Sequence, residues 1–186
     1  MDIRRACPAD IPAILQLQEA NLFANLTPEQ RVDGFLSARF SGEQFARMAQ
    51  EVAVLVAVDR GHVAGYLCAS GLEFNRQFPL LAAMLGEFGR IDFLGRSLSA
   101  QRCFIYGPVC IDRALRGRGL LSGLYRMLRN TIGTGYDAGV AFVAQDNARS
   151  LSTHAEGLGM SIVGEFAFDA KRYWVLAFEI PPTPSD

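Results

Sequence analysis

The chain has 186 residues, of which half are hydrophobic and a fifth are charged, and its formal net charge is −1. This length and composition fit one globular domain with a sizeable core and exclude a disordered chain. Because 18 Lys and Arg nearly balance 19 Asp and Glu, no overall basic field attracts nucleic acid, and we expect no such partner. The longest strongly apolar run, VAVLVAV at 52–58, is too short to cross a bilayer, so we expect no membrane partner either.

Four cysteines are scattered along the chain and have apolar neighbours in sequence: Cys7, Cys68, Cys103 and Cys110. None belongs to a CxxC pair and the chain has two histidines, so we expect no metal site. Four free, buried thiols are predicted instead, which indicates a reducing compartment and therefore the cytoplasm. The first ten residues, MDIRRACPAD, lack the apolar segment of a signal peptide.

The first fifty residues combine one strand with several helices. DIRRA at 2–6 is predicted to be a strand, and apolar residues follow at helical spacing in 8–22. A short helix is predicted after Thr27, where a proline takes the first helical position and Gln30 completes a capping box. SGEQFARMAQ at 41–50 is predicted to be a further helix.

A hairpin and an insert follow. EVAVLVAVD (51–59) and HVAGYLCASGLEF (62–74) are predicted to be strands joined by a tight turn. The insert at 75–101 contains a predicted apolar helix at 78–88 and an irregular stretch at 89–100. It is too apolar for disorder, and we expect it to cover the acceptor side and shape a substrate pocket. The alternatives are a dimer surface and a plain core cover.

Strands and helices alternate in the remainder of the chain, which favours a mixed α/β sheet in one domain spanning residues 1–180. Gly107-Pro108 indicates a local break in strand pairing. The predicted elements are a strand at 103–111, a helix at 120–132, a strand at 138–145, a short helix at 147–159, two strands within 161–180, and a disordered tail at 181–186.

The segment RALRGRGLLSGLY at 113–125 lies between a predicted strand and a predicted helix. A helix N-terminus carries unpaired N–H groups and the positive end of the helix dipole, which together attract anions. Gly117 and Gly119 allow the backbone to approach a ligand closely, and Arg116 and Arg118 add mobile positive charge. A phosphate or pyrophosphate is the ligand that this pattern favours. The alternative is a glycine turn with solvated arginines.

Two other phosphate motifs do not fit this segment. A Walker loop requires GxxxxGK[ST], which the chain lacks. A dinucleotide GxGxxG motif would require glycine at position 122, where Ser122 stands, and should follow the first strand of its unit. A nucleotide-binding α/β protein that uses the glycines for a different phosphate remains an alternative.

Two motifs together resemble the GNAT superfamily of N-acetyltransferases. Its acyl-CoA loop reads Q/R-x-x-G-x-G/A, which the chain matches at Arg116 and Gly119 but not at Leu121. In the second motif of the family, an Asn opens a helix that leads to a Gly-aromatic pair. Asn147 and Gly159 match it, although a methionine follows the glycine. The resemblance covers nearly the whole chain except the insert and the tail.

The resemblance implies a single GNAT-like domain with a mostly antiparallel sheet of about seven strands, flanked by helices and splayed between its fourth and fifth strands. It also implies acetyl-CoA as co-substrate. Backbone amides at 118–121 would bind the pyrophosphate, and the strand edge at Val109 and Ile111 would bind the pantetheine arm. The cofactor-binding residues implied in this way are Val109, Ile111, Arg116, Gly117, Arg118, Gly119, Leu120, Leu121 and Asn147.

The catalytic residue that the resemblance implies is His154. Many relatives supply a proton to the leaving thiolate from a Tyr seven residues after the Asn, and the chain has His154 at that spacing. Histidine can donate a proton near neutral pH. A core or surface histidine without chemistry is the alternative, and Tyr106 and Tyr125 are further candidate donors. Glu73 and Asp112 lie near predicted strand ends, and neither is assigned as the general base.

The sequence therefore predicts an N-acyltransferase that transfers acetyl from acetyl-CoA to an amine of a small molecule or peptide by direct attack. The alternative is a non-catalytic acyl-CoA binding or sensing module on the same fold. The sequence does not identify the acceptor amine. It is compatible with a homodimer.

Overall fold

The computed structural model of the protein describes residues 1–180, with the backbone alone at residue 134. The predicted tail at 181–186 lies outside the described residues. The described elements are β1 (Asp2–Arg5), α1 (Ile11–Glu19), α2 (Pro28–Arg31), α3 (Gly42–Glu51), β2 (Ala53–Asp59), β3 (His62–Gly71), α4 (Leu72–Asn75), α5 (Pro79–Gly86), β4 (Asp92–Phe93), β5 (Arg96–Ser97), β6 (Cys103–Ile111), α6 (Leu120–Ile132), β7 (Ala138–Ala144), α7 (Ala148–Ser152), β8 (Ser161–Phe168) and β9 (Lys171–Glu179).

Seven strands form one sheet in the order β1-β2-β3-β6-β7-β9-β8, and β4 pairs with β5 in a separate hairpin. The pairs β1–β2, β2–β3, β7–β9 and β8–β9 are antiparallel, and β6–β7 is parallel. This confirms the predicted fold class, a mixed α/β domain with a mostly antiparallel seven-stranded sheet flanked by helices. In the described chain, the register of β6 with β7 covers Cys103–Ile105 against Ala138–Val140 and ends there, although both strands continue.

By compactness the chain has two units. The first comprises residues 1–69 and 107–131, and the second comprises residues 70–106 and the described chain from 132 onward. In the first unit, α3 contributes Phe45 and Met48 to the core, as the helical spacing predicts. The Phe45 ring meets the Tyr66 ring of β3 edge to face, with their centroids 5.6 Å apart.

The predicted start of α2 is confirmed in detail. Thr27 Oγ1 accepts a hydrogen bond from the Gln30 N–H at 3.3 Å, and Gln30 Oε1 accepts one from the Thr27 N–H at 3.0 Å. The two residues thus satisfy backbone donors that the helix itself leaves unpaired. One cysteine prediction is wrong: Cys68, Cys103 and Cys110 are buried, but Cys7 is exposed because it lies in the turn between β1 and α1.

The insert at 75–101 forms part of the core of the second unit. Its helix α5 was predicted, but the stretch at 89–100 is not irregular as expected, because it contains the β4–β5 hairpin and a 3₁₀ turn at Leu98–Ala100. Leu94 and Gly95 form the hairpin turn with φ of 53° and 75°. Leucine rarely adopts this left-handed conformation, so the sequence does not indicate a turn at this position. Side chains of the insert pack against strands of the same unit in a cluster that includes Leu81, Met84, Phe88, Ile91, Leu98, Val140, Phe166, Tyr173 and Val175.

Strand β7 carries a glycine at the point where two aromatic rings approach it most closely. A Cβ at Gly139 would lie 2.2 Å from Phe178 and 2.7 Å from Phe104. The rings of Phe104 and Phe178 pack edge to face with centroids 5.8 Å apart. Any larger residue at 139 would therefore displace this aromatic pair.

Along residues 1–180, no helix combines the length and apolar character needed to cross a membrane.

We predict that Leu98→Ala lowers the free energy of unfolding by about 2–5 kcal/mol, because truncating a fully buried leucine leaves a cavity in the core. Leu98 is 0% exposed, whereas Leu94 in the same insert is 54% exposed. Leu94→Ala is thus a matched control that should change the free energy by less than about 0.5 kcal/mol. Urea denaturation measures both, and equal small effects would show that the insert is not a core element.

A second prediction concerns Asp10, whose carboxylate accepts bonds from Arg4 at 2.7 and 2.9 Å and from the Cys7 N–H at 2.7 Å. The Arg4 bonds hold the pKa of Asp10 at about 2, below its ordinary 3.8. A depressed carboxyl pKa stabilises the fold above the unfolded value, and this contribution is lost as pH falls through the folded one. We expect Asp10→Asn to cost about 1–2 kcal/mol at pH 7, after allowance for the half-exposed Arg4.

Urea titrations of the Asp10→Asn variant and the parent protein at pH 7, 4 and 2 measure this difference. It should shrink as the pH falls from 4 to 2. A difference that is the same at all three pH values would contradict the assignment to the ionised carboxylate.

Candidate functional site

The loop before α6 has the backbone that the glycine pattern predicts. Gly117 and Gly119 have φ of 75° and 78°, in the left-handed region that other residues rarely adopt. A Cβ on either glycine would meet no heavy atom within 4 Å, so the space beside the loop is open. The Gly123 N–H donates to the Gly119 carbonyl at 3.0 Å, which places Gly119 at the helix N-cap.

The start of α6 directs several N–H groups out of the helix. The first N–H groups of an α-helix have no acceptor within the helix, and here they belong to residues 120–122. The loop residues 117–119 are exposed, whereas Leu120 is buried and Leu121 is half-buried. The apolar side chains therefore anchor the helix from the core side, while the loop presents backbone donors and the positive end of the dipole.

Arg116 does not provide the mobile charge that the sequence suggested. Its guanidinium donates to the Ile111 carbonyl at 3.1 Å, to the Asp33 carbonyl at 2.7 Å and to Asn21 Oδ1 at 2.8 Å. These acceptors come from the end of β6 and from two points of the chain before α3. Arg116 thus fixes the turn before α6, and Arg118, which is exposed, is the arginine of the pair that extends toward solvent.

A second arginine reinforces the contact between this turn and residues 21–36. Arg113 donates to the Gln30 carbonyl. Within the segment, Arg31 lies over the Phe23 ring, 3.8 Å from its centroid, and donates to the Phe23 carbonyl at 3.2 Å. Two arginines therefore attach the loop before α6 to the turn that contains α2.

The second half of β6, beyond its described register with β7, lies next to this loop in the sequence. The Asp112 N–H donates to the Ala64 carbonyl of β3 at 2.9 Å. Successive residues of a strand direct their backbone groups to opposite edges, so Val109 and Ile111 direct theirs away from β3. The bond from Arg116 to the Ile111 carbonyl lies on that edge. These are the two backbone positions that the resemblance assigns to the pantetheine arm, and that assignment stays a prediction.

Asn147 has a structural task in the second unit. Its side-chain carbonyl accepts a hydrogen bond from the Ser150 N–H at 3.1 Å and so caps α7. The residue is buried. The helix then continues into a wider turn at Thr153–Gly157, and Gly159, with φ of 71°, follows it.

His154 lies in that wider turn and is hydrogen-bonded at both ring nitrogens. Nδ1 is 2.8 Å from the Ser150 carbonyl oxygen, and Nε2 is 3.3 Å from the Tyr106 hydroxyl. The two rings meet edge to face with centroids 5.5 Å apart, and Tyr106 also packs edge to face on Phe178. His154 is 6% exposed and Tyr106 is 4% exposed.

The protonation of His154 follows from these contacts. Burial lowers the pKa of His154 below its ordinary value of 6.5, and the bond to the Ser150 carbonyl partly opposes this shift. A carbonyl can only accept, so Nδ1 carries the proton in the neutral ring. Nε2 is then an acceptor, and the Tyr106 hydroxyl donates to it.

The structure places the three other candidate catalytic residues in a surface ion pair, in a turn cap and in the buried core. Glu73 lies in α4 rather than at a strand end and pairs with Arg76 on the surface, N to O at 3.0 Å. Asp112 caps the turn after β6 by accepting from the Ala114 N–H at 2.9 Å. Tyr125 is buried on α6, and burial raises its pKa.

Sequence reasoning considered Tyr106 and His154 separately and did not predict that they meet. The contact is not readable from sequence, because 48 positions separate the two residues. The partner of Nδ1 has a signal: Ser150 precedes His154 by four residues, which is one helical turn. That spacing could have identified Ser150.

Neither a protein-family model nor a curated protein matches the sequence. Solved structures match the fold over nearly the full length. The chain aligns with a candidate acetyltransferase of the GNAT family from Desulfovibrio desulfuricans at 15% identity and a TM-score of 0.63, covering 97% of this chain and 99% of that one. An N-acetyltransferase from Staphylococcus aureus Mu50 aligns at 18% identity and a TM-score of 0.60, covering 97% and 98%.

A third similar structure is yncA, a candidate acetyltransferase from Salmonella typhimurium solved with its cofactor acetyl-CoA. It aligns at 19% identity and a TM-score of 0.59, covering 100% of this chain and 97% of that one. At identities this low, the three comparisons establish a shared fold and leave activity to be argued from the residues.

We predict that Arg116→Met lowers the free energy of unfolding by about 2–4 kcal/mol, because it removes charge-assisted hydrogen bonds to three oxygens. Arg118→Met is the matched control, since Arg118 is exposed and two positions away. It should change stability by less than about 0.5 kcal/mol. Urea unfolding curves measure both, and an unaffected Arg116→Met would contradict a structural role for this guanidinium.

Proposed function

We propose that this chain, which has the fold of the GNAT acetyltransferases, is an N-acyltransferase that transfers acetyl from acetyl-CoA to an amine of a small molecule or peptide. The observation that carries the proposal is the loop at 117–119. Two left-handed glycines open it, and it leads directly into the N-terminus of the thirteen-residue helix α6.

This loop fits a pyrophosphate on three grounds. The space beside Gly117 and Gly119 is open to a ligand, since a side chain on either would meet nothing within 4 Å. The N–H groups at the start of α6 have no acceptor within the helix and supply donors for phosphate oxygens. Arg118 is exposed at the same loop and supplies a positive charge.

The chain's own residues divide the binding task. Backbone N–H groups of residues 118–121 hold the pyrophosphate, and the edge of β6 at Val109 and Ile111 holds the extended arm. Arg116 and Gly117 shape the loop, Leu120 anchors it in the core, and Asn147 fixes the start of α7. When bound, acetyl-CoA supplies an acyl group activated as a thioester. Leu121 is half-buried, and its N–H is one of those in the first turn of α6 that have no acceptor within the helix.

The partners in this proposal are acyl-CoA and an amine, and the location is the cytoplasm. The cysteines support a reducing compartment, since all four are free thiols in the described chain. Burial raises the pKa of Cys110 to about 12 and that of Cys103 to about 11, so both remain unreactive thiols near neutral pH.

The test is a thermal-shift titration with acetyl-CoA, CoA, ATP and NAD, in parallel on two variants. Gly119→Asp places a carboxylate at the start of α6, where it opposes a bound phosphate. Gly61→Asp is the matched control: Gly61 has φ of 82°, a Cβ there also meets nothing within 4 Å, and it lies in the β2–β3 turn. Arg116 is left unchanged, because its loss affects the fold itself.

We expect acetyl-CoA to raise the melting temperature of the parent and of Gly61→Asp but not of Gly119→Asp. A ligand at one hundred times its dissociation constant stabilises by about 2.7 kcal/mol, which is readily measured. Turnover is then measured as thiol release with a panel of primary amines. Stronger stabilisation by ATP or NAD than by CoA would overturn the proposal, and CoA binding without turnover would indicate the non-catalytic binding module instead.

A further inference from the structure

The hydrogen bond between Tyr106 and His154 runs in the direction opposite to the one that the family resemblance implies for proton donation. The resemblance gives position 154 the task of donating a proton. In the structure, however, Nδ1 of His154 is tied to a carbonyl and Nε2 accepts from the Tyr106 hydroxyl at 3.3 Å. A neutral ring held in this way has no proton to give at Nε2.

We propose that Tyr106 and His154 form a proton relay in which His154 enters turnover as a neutral acceptor and Tyr106 is the group that exchanges a proton with the substrate. The proposal rests on the proposed function. It also supplies the missing general base, for which Glu73 and Asp112 are unsuitable because each is engaged in a surface or capping contact.

Three observations support a neutral His154 that accepts a proton from Tyr106. The Ser150 carbonyl, one helical turn before His154, fixes the tautomer at 2.8 Å, as a backbone oxygen does in many oriented histidines. Both members of the pair are buried, so water does not compete for their hydrogen bond. The edge-to-face contact with Phe178 fixes the Tyr106 ring from another strand, β9.

The position of Tyr106 on β6 suits an exchange with substrate. It directly follows Ile105, the last residue of β6 that pairs with β7, and precedes Gly107, whose φ is 113°. The backbone of Tyr106 is therefore at the position of β6 where the register with β7 ends, and its ring packs between His154 and Phe178.

Among residues 1–180, the groups hydrogen-bonded to the imidazole are neutral, so none of them fixes the ring as imidazolium. Ser150 on α7 presents a carbonyl and a hydroxyl, the latter 3.3 Å from Nδ1, and β6 presents the Tyr106 phenol. Glu156 lies on the same turn, and its carboxylate accepts a hydrogen bond from Ser152 Oγ at 2.9 Å rather than from the imidazole. On β9, Phe178 is apolar.

The proton balance of the step closes without a further reactant. The amine nitrogen attacks the thioester carbon, so that a C–N bond forms and the C–S bond breaks. The proton that leaves nitrogen moves to Tyr106 Oη while the phenol's own proton moves to His154 Nε2. The same two transfers in reverse deliver a proton to the departing sulfur, which leaves an amide, a thiol and the pair in its starting state.

The first test needs no acceptor. Long-range ¹H–¹⁵N spectra of the ¹⁵N-labelled parent at pH 7 report which ring nitrogen carries the proton. We expect His154 to be neutral with Nδ1 protonated and Nε2 unprotonated, and its signals to change only as the pH falls below 6.5. An imidazolium at pH 7, or a ring protonated at Nε2, would overturn the relay. His154→Gln assigns the signals.

The second test uses acetyl-CoA and the amine of the panel that turns over fastest. Tyr106→Phe and His154→Gln should each lower kcat by about 100-fold, and the double variant should lose no more than either single one, because the pair acts as a unit. Parent activity should fall as the pH drops through the His154 pKa. An acid at His154 would instead lose activity as the pH rises through that pKa, and this result would refute the proposal.

The two proposals fail in different ways. Melting temperatures with acetyl-CoA should rise equally in the parent and in both single variants, because neither residue belongs to the phosphate loop. Absence of any acetyl-CoA response in the parent would count against the proposed function. A full response with unchanged kcat in Tyr106→Phe would count against the relay alone.

Discussion

The guanidinium of Arg116 is the contact on which the arrangement of the glycine loop before α6 depends. It joins oxygens of Asn21, Asp33 and Ile111 and therefore fixes the turn between β6 and α6 against two other segments of the same unit. Arg is suited to this because its planar guanidinium offers several donors in fixed directions. The motif that suggests a ligand-binding charge thus contains one arginine that organises the protein and one, Arg118, that remains exposed.

This division explains how a flexible, glycine-containing loop can be preorganised. Gly117 and Gly119 give the backbone left-handed turns, which cost conformational entropy when they are ordered. Arg116 on one side and the buried Leu120 on the other hold the two ends of the loop. The fold itself therefore holds the backbone donors at the start of α6 in place, and the binding proposed for this loop would not require the loop to be ordered first.

The second unit combines an apolar core, to which the insert contributes, with one buried polar pair. The insert at 75–101 contributes buried apolar residues to the core. Of the three roles considered from sequence, namely pocket former, dimer surface and core cover, these contacts favour the core cover. The polar pair of Tyr106 and His154 lies in the same unit, and its hydrogen bonds are satisfied along a chain that ends at the Ser150 carbonyl. A buried polar group without such partners would be costly, so the chain of bonds allows this pair to exist in the interior.

The sequence by itself determined the elements, because hydrophobic period and capping residues act locally. The capping box at Thr27, the inward Phe45 and Met48 of α3 and the glycine loop before α6 all follow from neighbours within a few positions. Local pattern failed at the β4–β5 hairpin, where Leu94 adopts a left-handed φ, and at Cys7, whose apolar neighbours did not imply burial. Only the tertiary structure decided which oxygens Arg116 bonds to and that His154 meets Tyr106. The side-chain partners of Arg116 and His154 are 95 and 48 positions away, and the other acceptors of Arg116 are backbone oxygens that no residue type indicates.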